Sequence, residues 1–368
     1  MLATFPQMGN LELLLRDVLE RVEIDYIVPP RTSAKTVALG AKYSPEFSCL
    51  PLKLNIGNFI EAMEAGADTI IMAGGRGPCR FGYYAEVQKR VLKDAGYDFE
   101  MVTIEPPTMG LSKFFRPIKK TSKKSTRYIW RALKESWPKA RAYDLLERRV
   151  LETRCYEERI GDTTSAHKRA KAVLGKAKTV GEIEEAQAAA LKIIDDVEGD
   201  RDRPVLRVGI VGEFFILLEP FVNFDIEEWL GNRGVYVSRS VFVTDWIGPS
   251  SGNIVAGTSD SRLAKLAKPY VGRFIGGEGQ QSVGHTVEYA QEGYDGVVHM
   301  FPFTCMPDTI AKAILPRVSR DLDIPVIHFI IDEQTGKAGV VTRLEAFIDL
   351  LVGRRRAGIK PRMERMVQ

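Results

Sequence analysis

Gly57-Asn58-Phe59-Ile60-Glu61-Ala62-Met63-Glu64-Ala65-Gly66-Ala67-Asp68-Thr69-Ile70-Ile71-Met72 decides the fold, because a second stretch repeats it. That stretch is Gly284-His285-Thr286-Val287-Glu288-Tyr289-Ala290-Gln291-Glu292-Gly293-Tyr294-Asp295-Gly296-Val297-Val298. Gly57, Glu61, Gly66 and Asp68 align with Gly284, Glu288, Gly293 and Asp295 without a gap. In each copy a helical pattern ends at a glycine suited to a left-handed helix C-cap. An Ile-Ile or Val-Val run follows, suited to a strand buried on both faces. Each run leads into a loop that ends in a cysteine: Gly74-Gly75-Arg76-Gly77-Pro78-Cys79 and Phe301-Pro302-Phe303-Thr304-Cys305. Cys79 and Cys305 therefore hold matching places, at the carboxyl end of a strand and the start of a helix. Open parallel sheets build their sites there.

Working outward, residues 1–111 alternate strand-like and helical patterns, which predicts a first α/β domain. Its expected strands are Ala3–Phe5, Asp25–Val28, Thr69–Met72 and Glu100–Ile104; its expected helices are Leu11–Val22, Ile56–Ala65 and Tyr83–Ala95. Residues 112–203 lack strand-like runs and are rich in Lys, Arg, Glu and Ala, the pattern of a helical insert or lid. Residues 204–353 return to the α/β rhythm as a second domain. Strands are expected at Leu206–Val211, Val235–Ser238, Gly296–Met300 and Pro325–Ile331, with helices at Phe224–Leu230, His285–Glu292, Asp308–Asp321 and Arg343–Val352. Residues 354–368 form a basic tail that is expected to fray. The fold class is α/β: two parallel-sheet domains with a helical insert between them.

With 45% hydrophobic and 27% charged residues, the chain has the composition of a soluble globular protein. No apolar run reaches the roughly 18 residues of a membrane span. Met1-Leu2-Ala3-Thr4-Phe5-Pro6 has no basic segment and no signal-type apolar stretch, so a cytoplasmic protein away from the membrane is expected. A net charge of +4 does not point to nucleic acid. The charge is uneven, however. Lys113, Arg116, Lys119, Lys120, Lys123, Lys124, Arg127 and Arg131 form a patch interrupted by Phe115 and Trp130. Such a patch suits an acidic partner, a CoA phosphate or nucleic acid, and a solvated helix face is its default reading.

Four cysteines are too few for a disulfide framework. Cys49 lies eight residues before Gly57, and its counterpart in the second half is Gly276, within Gly276-Gly277-Glu278-Gly279. Three cysteines that each precede a helix are placed to converge between the domains. Helix N-termini stabilise anionic sulfur, and thiolates are the ligands of iron–sulfur clusters. The same residues also allow buried core cysteines, a nucleophilic thiol or a zinc site. Three-cysteine zinc sites usually carry a CxxC pair, which this chain lacks. Cys155, within the insert, reads as structural.

Several stretches resemble a known group: Thr4-Phe5-Pro6-Gln7-Met8-Gly9-Asn10, Cys49-Leu50-Pro51-Leu52-Lys53, Gly77-Pro78-Cys79-Arg80-Phe81-Gly82-Tyr83-Tyr84, Phe301-Pro302-Phe303-Thr304-Cys305-Met306-Pro307, Asp332-Glu333-Gln334-Thr335-Gly336 and Thr342-Arg343-Leu344-Glu345-Ala346-Phe347. The group is the CoA-substrate-specific enzyme activase-related family, relatives of 2-hydroxyacyl-CoA dehydratase subunits and double-cubane cluster proteins. The resemblance implies two Rossmann-like domains with a [4Fe-4S] cluster between them, ligated by Cys49, Cys79 and Cys305. It also implies a partner, an ATP-hydrolysing activator with its own iron–sulfur cluster, which delivers low-potential electrons in anaerobic chemistry. In the dehydratases that electron makes a ketyl radical on an acyl-CoA; in double-cubane proteins small unsaturated molecules are reduced. A double cubane needs about six thiolates. This chain offers three, so one cubane per chain is expected unless a dimer shares a larger cluster. No P-loop follows Gly74–Gly77, and nothing in the sequence marks a CoA site.

Other residues carry weaker claims. Arg80 suits a cluster or substrate charge, or a surface ion pair. Thr304 suits a hydrogen bond to a cluster sulfur or an iron-bound ligand, or a plain turn. Lys53 makes a similar claim beside Cys49. Glu213 and His285 suit proton transfer, against structural readings of both. Gly276, Gly277 and Gly279 would let backbone approach a ligand, or form a plain turn. The expected function is a cluster-binding component of an ATP-dependent low-potential reductase or 2-hydroxyacyl-CoA dehydratase-like system, as a homodimer or with a related subunit. The alternative is a non-catalytic iron–sulfur carrier or electron relay.

Overall fold

The computed structural model describes residues 1–75, 77–107, 110–247 and 261–359. The first half contains β1 (Ala3–Thr4), α1 (Leu11–Arg21), α2 (Ala34–Tyr43), α3 (Leu50–Glu64), β2 (Thr69–Ala73), α4 (Tyr84–Asp94) and β3 (Glu100–Ile104). The insert is α5 (Leu111–Ser122), α6 (Thr126–Arg154), α7 (Asp162–Lys176) and α8 (Val180–Asp195). The second half contains β4 (Leu206–Gly212), α9 (Phe214–Leu218), α10 (Pro220–Asn223), α11 (Ile226–Gly231), β5 (Val235–Arg239), α12 (Val243–Ile247), α13 (Ser261–Ala267), α14 (Gly279–Gln291), β6 (Gly296–Pro302), α15 (Met306–Leu322), β7 (Val326–Ile331) and α16 (Lys337–Arg356). Among the described residues one sheet runs β1-β2-β3 and the other β5-β4-β6-β7, and every pairing is parallel. The expected α/β class, with two Rossmann-like parallel-sheet units, is the observed one.

The repeat extends to individual contacts. The Leu2 amide donates to the Asp68 carboxylate at 2.7 Å, and the Asp68 amide donates to the Leu2 carbonyl at 3.0 Å. In the second half the Arg207 amide donates to Asp295 at 2.7 Å, and the Asp295 amide returns a bond to the Arg207 carbonyl at 2.8 Å. Each aspartate thus locks the start of the central strand to its neighbour. Gly57 lets α3 pack on α2, and Gly284 lets α14 pack on α13. Glu61 takes the Thr36 hydroxyl of α2, while Glu288 pairs with Arg262 of α13. Gly66 and Gly293 follow their helices at φ +107° and +73°.

Several expectations need correction; among them, α9, α10, α12 and α13 were not expected, and α14 and α16 begin six residues before the expected His285 and Arg343. Asp25–Val28 is no strand: Tyr26 makes a single parallel bridge to Ala3. Two ladder bonds form, from the Ala3 amide to the Asp25 carbonyl and from the Ile27 amide to the Ala3 carbonyl. Pro29 and Pro30 then supply no N–H to continue. This segment stands where β5 stands in the second half. α3 begins at Leu50, because Pro51 sits in its first turn, where a missing N–H costs nothing. α2 went unforeseen. The final helix runs on to Arg356, three residues into the expected tail; residues 360–368 of that tail lie outside the described residues.

One apolar core crosses the domain boundary. Phe81 of the first half packs edge-on against Phe214 and Trp246 of the second, with centroids 5.7 and 5.5 Å apart. The insert ties both halves together through α6. At one end Lys139 holds Asp17 of α1 at 3.2 Å. Further along, Glu147 meets the buried Arg239 at 2.6 Å, and Arg239 also holds Glu227 at 3.0 Å. The basic patch lies on α5 and the start of α6, where Lys120, Lys124 and Arg131 are paired with Glu100, Glu23 and Glu135. Among the described residues no helix is long and apolar enough to cross a membrane.

Gly57→Ala puts a methyl 2.1 Å from the Thr36 carbonyl oxygen, and Gly284→Ala puts one 2.7 Å from that of Leu263. Each is expected to cost about 2 kcal/mol or more of stability. Gly181→Ala on α8, with nothing within 4 Å, is the control and is expected to be neutral or stabilising. Denaturation midpoints of the three variants check the ranking.

Candidate functional site

In a parallel α/β unit the helix that returns to the next strand begins beside the carboxyl ends of the strands. All three proposed ligands use that geometry. Cys49 is the N-cap of α3, Cys305 is the N-cap of α15, and Cys79 caps the short 3-10 turn Arg80–Tyr83 that leads into α4. None of these thiols spends itself on a cap hydrogen bond. Cys49 and Cys305 are buried and Cys79 is partly so. Cys79 lies close enough to Cys49, and Cys305 close enough to Cys79, for an ionised neighbour to raise its pKa. Cys155 takes no part: it ends α6 in the core, its thiol donating to the Glu152 carbonyl at 3.6 Å.

Burial is the main force on these thiols. It pushes Cys79 up to about 12, with the charges of Glu278, Glu213 and Cys49 adding to it. Cys305 is driven well up by burial and then by Asp308 and Glu213; its thiol contacts Asp308 at 3.4 Å. Cys49 is raised by burial, against the opposing hydroxyl of Tyr84 and the charge of Arg80. The buried Tyr84 hydroxyl makes a short contact with the Cys49 sulfur.

Acids close the pocket on the second-half side. Glu213 leaves the carboxyl end of β4 and caps α9, accepting the Ile216 amide at 3.0 Å. Burial lifts its carboxyl to about 8 despite the Ile216 and Phe215 amides, with the charge of Asp308 adding to the rise. Glu278 is the N-cap of α14, only 4% exposed, and its Oε1 has no hydrogen-bond partner among the described residues. Burial, then Glu213 and Asp308, hold it well above the usual carboxylate range. Asp308 is fixed by the Ser282 hydroxyl at 3.0 Å and by His299 at 3.1 Å, and His299 in turn meets His328 at 3.0 Å.

The weaker candidates fall into place differently. Arg80 donates to the Phe47 carbonyl at 3.1 Å and to the Thr304 hydroxyl at 3.0 Å, and also reaches the Thr304 carbonyl. The Thr304 hydroxyl in turn donates to the Phe47 carbonyl at 3.2 Å. Arg80 and Thr304 therefore clasp the Cys49, Cys79 and Cys305 loops together. Lys53 is buried in an ion pair with Glu333 at 2.5 Å, tying α3 to the loop after β7. His285 stands seven residues along α14 from Glu278, about 10 Å by helical rise, and pairs with Glu288 at 3.0 Å. At Gly276 a side chain would strike Pro78 at 2.5 Å and crowd the Cys79 amide at 3.3 Å. The bare backbone there approaches the Cys79 loop.

Sequence reading missed Glu278, Asp308 and Tyr84. Asp308 stands one turn after Cys305, and Tyr84 one turn after Cys79's helical start; that spacing was the available signal. Glu278 stands two residues beyond the counterpart of Cys49. Among the described residues no three His, Cys, Asp or Glu side chains form a group that could hold a single metal ion. No protein-family model matches the chain, and no curated protein matches it.

Glu213 sets a pH dependence. Its folded carboxyl is raised to about 8 from an ordinary 4.5, so the unfolded chain loses this proton first as pH rises. The stability carried by the neutral acid is whole below about 4.5 and is lost as pH climbs through about 8. Glu278 adds in the same direction. In metal-free protein the Tm is expected to fall across this window. Glu213→Gln is expected to flatten part of the fall and to exceed the parent at alkaline pH; parallel Tm curves would rule Glu213 out.

Proposed function

We propose that the chain is the [4Fe-4S]-binding component of an ATP-dependent low-potential reductase or 2-hydroxyacyl-CoA dehydratase-like system, taking electrons from a separate activator ATPase. The observation that carries the reading is the placing of Cys49, Cys79 and Cys305 at three helix starts, none making a cap hydrogen bond, with Cys79 within reach of the charge of Cys49 and Cys305 within reach of that of Cys79. Their donor chemistry fits. Thiols that burial alone would keep protonated become ligands when iron compensates the charge, and helix N-termini favour the anionic core. A cluster spreads its ligands over different irons, so its sulfurs stand further apart than those around one ion. When bound, such a cluster supplies low-potential single electrons and, with three protein thiolates, one iron open to an outside ligand.

The remaining residues hold and serve that site. Tyr84 directs its hydroxyl at the Cys49 sulfur. Glu213 and Glu278, kept neutral by burial, hold protons beside it for a reduction that consumes them. The Arg80–Thr304 clasp fixes the spacing of the three loops. The rim is apolar: Phe47, Tyr83, Phe303 and Met306 flank the cysteines and are exposed. An electron-donating protein or a second subunit that covered this rim would stand close to the cluster. The Glu278 Oε1, with no partner among the described residues, favours a site that meets a small molecule over a passive carrier.

Anaerobic reconstitution with ferrous iron and sulfide tests the reading. About four irons and four sulfides per chain are expected, with a brown charge-transfer absorption. Cys49→Ser, Cys79→Ser and Cys305→Ser are each expected to lose most of it, and Cys155→Ser to keep it. Colourless protein, or zinc alone after anaerobic purification, would end the cluster reading.

A further inference from the structure

A cleft of about 680 Å³ lies between α6, the carboxyl end of β5 and the long face of α14. Its volume is that of an ordinary small-molecule site, and its place, outside the carboxyl end of a parallel strand, is where such sites form. Trp137 and Arg141 line one wall, Ser238 and Ser240 a second, and Glu278 and His285 a third. We infer that this cleft binds a small organic carboxylate carrying a second oxygen group, with Arg141 taking the carboxylate and Glu278 the second oxygen.

Three observations support this. First, the other three arginines of the wall are already matched: Arg239 is held by Glu147 and Glu227, Arg148 by Asp245 at 2.5 Å, and Arg262 by Glu288. Arg141 is exposed and pairs with no carboxylate among the described residues, so its guanidinium is the one offered to a ligand for bidentate binding. Second, Glu278 is more than nine-tenths buried, yet its Oε1 lacks a partner among the described residues. A buried orphan of this kind is costly unless a ligand completes it. Third, Glu278 caps a 13-residue helix whose N-terminus adds positive potential at the same end of the cleft.

Glu278 also belongs to the cysteine pocket, since its charge is felt at Cys79. Glu278 is therefore shared between the wall of the cleft and the surroundings of the thiols. The carboxylate site stands on the fold alone; its role as the place where substrate waits for electrons rests on the proposed function.

Calorimetric titration of the full-length, anaerobically reconstituted chain with succinate and with malate tests the inference, with uncharged succinamide as control. The two carboxylates are expected to bind with submillimolar Kd, as ordinary small polar ligands do, and succinamide not to bind. Arg141→Ala, a surface change expected to leave the Tm unaltered, should weaken both by roughly tenfold or more. Glu278→Gln should weaken malate in the same titration. Absence of binding, or binding untouched by Arg141→Ala, overturns the inference. The outcomes separate the two readings: binding to colourless protein keeps the cleft and removes the cluster, while brown protein that binds neither acid removes the cleft alone.

Discussion

Burial of three thiols and two carboxyls in one pocket is the constraint on which the site depends. Each of these groups pays a desolvation cost that lifts its pKa. The cost is bearable because the surrounding architecture is rigid. Two parallel sheets share one large apolar cluster, and the insert braces both through the Lys139–Asp17 and Glu147–Arg239 pairs. Removing Arg239 would leave both Glu147 and Glu227 without the cation that holds them, which is far more damaging than never having built the pairs.

The parallel sheets also explain why the site lies where it does. In each half the central strand ends in a loop that must turn back into a helix, and the cysteine stands at that turn. The third cysteine comes from the start of the helix that returns to β2. No element needs an unusual conformation to bring the sulfurs together. The exception is Thr304, at φ +68°, a strained backbone held by its contacts to Arg80 and Phe47.

Much of this was legible in the sequence. The Gly57–Met72 and Gly284–Val298 repeat announced the two halves, and the observed aspartate locks and glycine contacts follow it residue by residue. Strand cores such as β3 were readable because apolar runs bounded by polar turns have few alternatives. The segment after Asp25 was not readable, since its residues suit a strand and only the two following prolines forbid the ladder. The cysteines stood out by chemistry. Glu278, Asp308 and Tyr84 did not, because a carboxyl or a hydroxyl becomes unusual only when its neighbours remove it from water, and charged neighbours such as Glu213 and Asp308 lie thirty or more residues from Glu278 in the chain. Arg80 and Thr304 show the converse. Their positions beside cysteines suggested chemistry, and their hydrogen bonds are spent on joining loops.

The shared build of the two halves has a further meaning at their junction. Where the first half presents the Cys49 sulfur at the head of α3, the second presents bare backbone at Gly276 and a carboxyl at the head of α14. A perfectly mirrored pocket would admit a guest in either of two poses. This one is polarised, soft donor on one flank and proton-bearing oxygen on the other, so under the proposed function a molecule entering it would have a single preferred heading before any chemistry began.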